Sequence, residues 1–431
     1  MHMRLGGRLQ AAIEVLDDIE NRKRPASDAL KDWGLSHRFA GAGDRAVIGN
    51  IVYDALRRKL SLAWRMDSEA ARHIAFGVLL SDAELDIEDI NVALEGDKFA
   101  PEPLEAERLA VWANRDLNSA PDHIRADVPE WCIPHFQAIF GDGWVEEAAA
   151  LSDRPPVDLR VNTLKADRDK VLKELARAGA NPAPLLETAV RVPPLRAMGR
   201  HPNVQAEPAF QRGLFEVQDL GSQLAAKLSN AKAGEQVLDY CAGAGGKTLA
   251  LAAEMGNKGQ IHAYDAERAR LAPIFDRLKR AGVRNAQAHA NVGDLAPLEG
   301  QMDMVLVDAP CTGSGTWRRR PDAKWRLSDQ QLERREVEQR EVLAAAKAYV
   351  KPGGRLVYIT CSLFAPENGD QVAAFLDANS DYSFVDTQPL WEQAVSKESG
   401  LKPLFRDGTA ILSPLSTSTD GFFISVLRRE K

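Results

Sequence analysis

The chain has 431 residues, enough for two or three domains with cores of their own, and its 45% hydrophobic and 27% charged residues are those of an ordinary globular protein. No apolar run approaches the roughly 18 to 20 residues that a bilayer span requires, and the amphipathic N-terminus has no apolar signal core, so a cytoplasmic protein without a membrane partner is expected. A net charge of −7 and a pI of about 5.7 argue against indiscriminate coating of nucleic acid, which needs Lys and Arg against phosphate, but leave room for a local basic groove.

Residues 1–150 read as helical. Leu9, Ala12, Ile13, Leu16 and Ile19 recur at helical spacing, 46–59 forms a second helical pattern with Asp44 near its start, and 69–80 and 103–118 continue in the same style. The clusters Arg22-Lys23-Arg24 and Arg57-Arg58-Lys59 suit a solvated face or an RNA-contacting surface. Pro155-Pro156 marks a boundary. A small α/β insert at 151–208 follows, with strands at 157–162 and 189–192 and a helix at 168–178. From about 209 to 431, strand–helix units repeat, which predicts a doubly wound parallel sheet. Its strands are expected at 236–239, 260–264, 286–290, 302–307, 354–359 and 421–427, with helices at 267–281 and 327–350 among those between them.

The stretch 236–253 is a strand end, a glycine-rich turn and a helix start, the arrangement with which α/β proteins hold nucleotide-like ligands. Three ligands compete for it. A phosphate loop would need Gly where Cys241 stands, although Gly246-Lys247-Thr248 matches its end and Asp308 imitates the acid of the second motif. A dinucleotide fingerprint would need Gly where Thr248 stands. S-adenosylmethionine has no pyrophosphate. It asks only that backbone pass close to it and that a carboxylate end the next strand for the ribose hydroxyls. Asp265, 22 residues beyond Gly243, suits that task; alternatively it only caps the helix that follows it.

The chain has four cysteines, too few and too scattered for a disulfide framework or a paired zinc site, and no metal is expected. Two of them follow apolar strand runs: Cys311 in Asp308-Ala309-Pro310-Cys311-Thr312-Gly313-Ser314-Gly315, and Cys361 in Thr360-Cys361-Ser362. Carboxyl ends of strands are where open α/β sheets bind ligands. A thiol beside a methyl donor points to carbon 5 of a pyrimidine. A thiolate adding to carbon 6 turns carbon 5 into a nucleophile, and loss of the C5 proton then lets the thiolate leave. Asp308 is placed to hydrogen-bond the ring N3 or the amino group. Spacing alone does not order the two cysteines; DNA cytosine methyltransferases use the one in Pro-Cys as nucleophile.

These motifs, with Cys241-Ala242-Gly243-Ala244-Gly245-Gly246-Lys247, resemble the RsmB/Nop/Sun family of RNA cytosine-C5 methyltransferases. So do Pro366-Glu367-Asn368, 319–325, 159–163 and 215–223; the resemblance covers about 155–431, and 43–59 is more weakly similar to the NusB-like helical domain of RsmB proteins. It implies a Rossmann-like class I methyltransferase domain behind an RRM-like insert and an all-α NusB-like domain, acting as a monomer. It also implies Cys361 as nucleophile, Cys311 as the residue that assists release of the methylated base, and S-adenosylmethionine held by Cys241–Lys247, Asp265 and Asp308. The family usually has Asp near the adenine where this chain has Asn291, with Asp294 close by. The basic segment Arg318, Arg319, Arg320, Lys324 and Arg326, flanked by Trp317 and Trp325, is expected to meet RNA; the alternative is a loop anchored by its tryptophans. Ribosomal RNA is the expected substrate, with transfer RNA the rival, and a non-catalytic RNA-binding or assembly factor is the alternative to an enzyme.

Overall fold

The computed structural model describes residues 3–82, 85–194, 198–200, 202–396 and 399–431. The chain divides into two compact units. One comprises Met1–Pro155, Pro194–Pro202 and Trp317–Leu327, and the other Pro156–Pro193, Asn203–Thr316 and Ser328–Lys431.

The first unit is helical. In helix Leu5–Arg22 the apolar positions Leu9, Ala12, Ile13, Leu16 and Ile19 are all buried, as their spacing predicts, against helices Ala42–Arg57 and Ala71–Asp82. Asp44 is fully buried in the first turn of helix Ala42–Arg57, where it accepts the Gly41 N–H at 3.1 Å and the Arg8 Nε at 2.9 Å. That helix stops at Arg57, two residues short of the pattern, and a new one runs over Lys59–Met66. The break turns Arg57 inward. It is buried, paired with Asp54 at 2.7 Å, and donates to the Arg318 carbonyl at 2.8 Å. Arg57 is therefore not on a solvated or RNA-facing surface.

The second unit holds two sheets. In the smaller, β1 (Val157–Val161), β2 (Asn181–Pro182), β3 (Ala189–Val192) and β4 (Phe215–Val217) lie in the antiparallel order β2-β3-β1-β4. Residues 215–217 thus extend this sheet. Helix Arg168–Glu174 covers it, and Val171, Leu175 and Phe215 share its core.

The larger sheet contains β5 (Gln236–Asp239), β6 (Gln260–Tyr264), β7 (Ala286–His289), β8 (Met302–Asp308) and β9 (Val350–Thr360), paired in parallel in the order β7-β6-β5-β8-β9. The chain winds one way from β5 to β7 and the other way from β8 to β9, so the strand order reverses between β5 and β8. Beyond β9 the sheet is antiparallel. Strands β10 (Tyr382–Val385), β11 (Leu404–Arg406), β12 (Thr409–Leu412) and β13 (Phe422–Arg429) complete it, with β13 pairing antiparallel to β9. Sequence reading places β13 in a parallel sheet. Its buried run is apolar on both faces, a pattern that marks a central strand without giving its direction. Pro273 also splits the expected helix 267–281 into Arg268–Leu271 and Ile274–Ala281.

On adjacent strands β6 and β7, His262 Nδ1 and His289 Nε2 lie 2.9 Å apart, and both rings are buried. An N–H···N bond needs at least one bare nitrogen, and burial lowers both pKa values, with nearby Asp294 opposing this at His289. The folded pKa lies below the unfolded one, so stability is full above about pH 6.5 and is lost as pH falls further, where the unfolded chain binds protons that the pair refuses. The melting temperature is expected to drop between pH 7.5 and 5.5, with a shallower slope in His289→Gln; equal slopes in a calorimetric pH series would contradict this origin.

Candidate active site

The site is built at the carboxyl ends of β5, β6, β8 and β9, around the reversal in strand order where open α/β sheets leave a crevice. After β5 the chain turns through Gly243 (φ +50°) and Gly245 (φ +83°) into helix Gly246–Glu254. Glycine is required at 245 on two counts: φ is left-handed, and a Cβ there would stand 2.5 Å from Ile274 Cγ1. The Gly243 N–H is fixed by Asp265 Oδ2 at 2.9 Å, while Oδ1 of the same carboxylate accepts the Glu267 N–H at 2.9 Å. Asp265 therefore both caps the next segment and braces the glycine turn. This close-passing backbone, a helix N-terminus and a carboxylate at the end of β6 form a cradle that fits an adenosine-type ligand without a pyrophosphate.

Lys247, in the first turn of that helix, is buried and its Nζ lies 2.6 Å from Asp308 Oδ2 at the end of β8. This ion pair couples the glycine turn to the loop carrying Cys311. Thr248 donates to buried Asp239 Oδ2 at 2.6 Å; burial raises the Asp239 pKa to about 7. Cys241 is a different kind of cysteine from the later two. Burial, reinforced by Asp239, Asp308 and Asp265, pushes its thiol far above the usual range, so it lines the turn as a neutral group.

The other cysteines meet. Cys311 Sγ and Cys361 Sγ are 3.4 Å apart, half-buried and not disulfide-bonded. The Cys361 sulfur beside it, and burial, push the Cys311 thiol well above its usual value. Backbone crowding makes this approach possible. The Gly315 N–H donates to the Cys361 carbonyl at 3.0 Å, the Gly421 N–H donates to the Gly315 carbonyl at 2.8 Å, and a Cβ on Gly421 would lie 2.7 Å from Gly315 Cα.

Of the remaining expected residues, Asn291 and Asp294 form one cap after β7. The Asp294 carboxylate accepts the Asn291 N–H at 3.2 Å, and the Asn291 amide oxygen takes a hydrogen bond from Arg268. The basic segment divides. Lys324 is 1% exposed, its ammonium donating to the Arg57 carbonyl at 3.0 Å beneath the Trp325 ring, and burial lowers its pKa to about 8. Arg318 is buried as well, Arg319 is half-buried, and Trp325 donates to the Leu56 carbonyl at 2.7 Å. Lys324 and Arg318 are thus interior anchors of the helical unit rather than phosphate contacts. Arg320 and Arg326 stay exposed. Glu367, quoted in sequence only as part of a motif, is the residue whose part sequence reading missed. Its carboxylate accepts from Thr312 and Ser362, the residues immediately after the two cysteines.

A switch-point sheet with a glycine turn, an acid after the second strand and two facing thiols at its edge defines a methyltransferase-type α/β domain. Residues 226–428 match the model of the 16S rRNA methyltransferase RsmB/F family, and residues 128–194 match that of the RsmF/B-like ferredoxin-like domain. The chain belongs to the RsmB/F methyltransferase family. Ribosomal RNA small subunit methyltransferase B of Enterobacter sp. (strain 638) is 34% identical over 307 residues, 70% of this chain and 66% of that protein. The corresponding Klebsiella pneumoniae protein is 36% identical over 260 residues, 59% of this chain and 58% of that one. The matched stretch thus spans about six-tenths of these curated relatives' length. Among solved structures, PH0851 aligns over 100% of both chains at TM-score 0.72 and 27% identity. A methyltransferase homolog protein from Pyrococcus horikoshii aligns over 72% of this chain and 97% of its own, at TM-score 0.58 and 28% identity. No helix among the described residues is long and apolar enough to cross a membrane.

Sulfurs at 3.4 Å need only a small closure to reach the disulfide length of about 2.05 Å. Diamide treatment of the full chain is expected to join Cys311 to Cys361, leaving Cys132 and Cys241 as thiols. Peptide mapping that finds Cys241 in the bridge, or no bridge at all, would contradict this geometry.

Proposed function

We propose that this chain methylates carbon 5 of a cytosine in RNA, using S-adenosylmethionine, with Cys361 as the nucleophile and small-subunit ribosomal RNA as the substrate. The observation that carries the reading is the pair of free sulfurs 3.4 Å apart at the edge of the sheet, coupled to the glycine turn through Lys247 and Asp308. Two thiols facing each other are not needed to bind a cofactor or to cap a strand. They are needed where one sulfur bonds carbon and the other handles a proton.

When bound, S-adenosylmethionine supplies a methyl group on a positively charged sulfur. The residues fitted to hold it are Cys241, Ala242, Gly243, Ala244, Gly245, Gly246 and Lys247 in the turn, and Asp265, whose oxygens keep lone pairs for ribose hydroxyls beyond the two backbone bonds. Asn291, with Asp294 in the same cap, is assigned to the adenine. Cys361 acts as a thiolate. Its sulfur bonds carbon 6 of the cytosine, the C5–C6 π pair moves toward carbon 5 and N3, and carbon 5 becomes the nucleophile. Asp308, about one-third exposed beside its lysine, faces the base and accepts a hydrogen bond from its amino group or protonated N3.

The same geometry gives Cys311 its timing. Its thiol is held protonated chiefly by the neighbouring Cys361 sulfur. Once that sulfur is a neutral thioether, the hydrogen bond and charge with which it held the proton are weakened, and Cys311 releases its proton to water and serves as base. It takes the proton from carbon 5, the C5–C6 double bond re-forms, and the Cys361–C6 bond breaks with its electrons returning to sulfur. The target base must leave its stack to reach these groups, so an unpaired or flipped cytosine is required. Exposed Arg320 and Arg326 are the members of the basic segment assigned to RNA phosphate.

Cys311→Ala is expected to leave addition intact but stall release, trapping a covalent RNA adduct that survives denaturing electrophoresis, while Cys361→Ala gives neither adduct nor methylation. Adduct formation in Cys361→Ala but not in Cys311→Ala would reverse the two roles. Bisulfite sequencing of RNA incubated with the wild-type protein distinguishes ribosomal from transfer RNA. Absence of label transfer to either would leave the non-catalytic factor.

A further inference from the structure

One buried carboxylate is shared by the two cysteine loops. Glu367, 0% exposed in the short helical turn Ala365–Glu367 after β9, accepts four hydrogen bonds. The Thr312 N–H donates to Oε1 at 2.7 Å and the Thr312 hydroxyl to Oε2 at 2.5 Å; the Ser362 hydroxyl also donates to Oε2, and Gln339 Nε2 donates to Oε1 at 3.1 Å. The same Gln339 amide, on helix Asp329–Ala346, donates to the Pro310 carbonyl at 2.9 Å. Asn368, next in sequence, accepts from the Thr360 hydroxyl at 2.5 Å and donates to the Ser362 carbonyl at 2.9 Å. The residues on both sides of both cysteines are thus held by Glu367, its neighbour and its amide partner.

We propose that Glu367 is the positioning residue of the cysteine pair, its carboxylate fixing the separation of the two sulfurs and keeping Cys311 as the thiol that faces Cys361. The two N–H donors both meet Oε1 and cannot accept, so Oε1 must be an acceptor, while the two hydroxyls at Oε2 donate to it. An ionised carboxylate meets that need, although burial raises its pKa against the effect of these donors. Its charge then has a second consequence: it disfavours a thiolate at Cys311, adding to the effect of the Cys361 sulfur. The other titratable or charged groups around the pair are Tyr358, whose hydroxyl donates to the Glu367 carbonyl at 2.7 Å, Cys241, the Lys247–Asp308 pair, and Glu336 with Arg340 on the packed helix. The inference rests on the proposed roles of Cys361 and Cys311, but its test needs no methyl transfer.

In Glu367→Gln the amide oxygen can face the two N–H donors and the amide nitrogen the two hydroxyls, which turn to accept. Spacing is kept and charge is lost. Alkylation of each cysteine by iodoacetamide in the full-length protein, followed by mass spectrometry from pH 6 to 10, is expected to show the Cys311 profile moved to lower pH by about one unit. That is roughly tenfold faster reaction on its rising limb. In Glu367→Ala, diamide closure of the Cys311–Cys361 bridge is expected to slow about tenfold, since the loops lose their common anchor. Ser362→Ala, which removes one link and keeps the charge, should slow closure without shifting the Cys311 profile, and serves if the Glu367 variants melt early. A Glu367→Gln profile superimposed on wild type, or wild-type closure rates in Glu367→Ala and Ser362→Ala, would overturn the proposal. Absence of methylation by the wild-type protein, with these profiles as expected, would count against the enzymatic reading and leave Glu367's role standing.

Discussion

Two sulfur atoms in contact at the edge of a sheet impose most of what surrounds them. They are carried by different strands, β8 and β9, and each lies on a loop just past a strand end, where backbone is otherwise free to wander. Holding them at 3.4 Å demands that both loops be over-determined, and the structure meets the demand with close backbone packing and buried polar groups. Ser314 and Ser362 hydroxyls lie 3.0 Å apart, the Leu363 N–H donates to Ser314 at 2.8 Å, and Glu367 joins the cysteine loops. Apolar side chains would hold such loops only loosely, since dispersion and burial are non-directional, whereas hydrogen bonds fix angle as well as distance. The cost is desolvation of a carboxylate, offset only because each of its oxygens is paired twice.

The same logic explains the position of the glycine turn. Reversal of strand order between β5 and β8 opens the crevice, and in the proposed function a methyl donor there sits within reach of a base at the ends of β8 and β9. The Lys247–Asp308 pair spans that crevice between adjacent strands. It neutralises a buried ammonium and fixes the acid beside the cysteine loop with one contact. A lysine at this position in a phosphate loop would point at phosphate; here it points at a carboxylate, a structural reason for setting that reading aside.

Much of this was legible in the sequence, and the failures are physical. The parallel strands, the Gly243–Gly245 turn and the location of Asp265, Asp308, Cys311 and Cys361 at strand ends follow from apolar runs punctuated by Gly, Asp and Cys. The meeting of Cys311 and Cys361 does not follow, because it depends on the pairing of β8 with β9 and on the Gly315–Gly421 approach across distant parts of the chain. The direction of β13 was hidden because a strand buried on both faces reads the same either way. Motifs that carry resemblance also conceal two kinds of residue. Arg160 and Asn162 enter the sequence reading only within the 159–163 motif; in the fold Arg160 is buried against the Gln218 side chain at 2.7 Å, and Asn162 donates to the Gly213 and Ala281 carbonyls at 2.8 Å. They hold the small sheet to the large domain's helix end. Glu367 stands in the sequence only as part of a Pro-Glu-Asn motif and is tied to both cysteine loops.

Charge counting fails for a related reason. Composition treats each Lys and Arg as surface, but Arg57, Arg160, Arg318 and Lys324 are buried, and burial lowers the pKa of Arg160 to about 10 and of Lys324 to about 8. A cation in the interior neutralises carbonyls and carboxylates of its own fold and contributes nothing to phosphate attraction at the surface. On a chain of net charge −7, this leaves fewer cations at the surface than a basic run such as 318–326 suggests. Under the proposed function, recognition of RNA therefore rests less on a large release of counterions than on a few exposed arginines and one extruded base, which puts specificity at the reacting nucleotide itself.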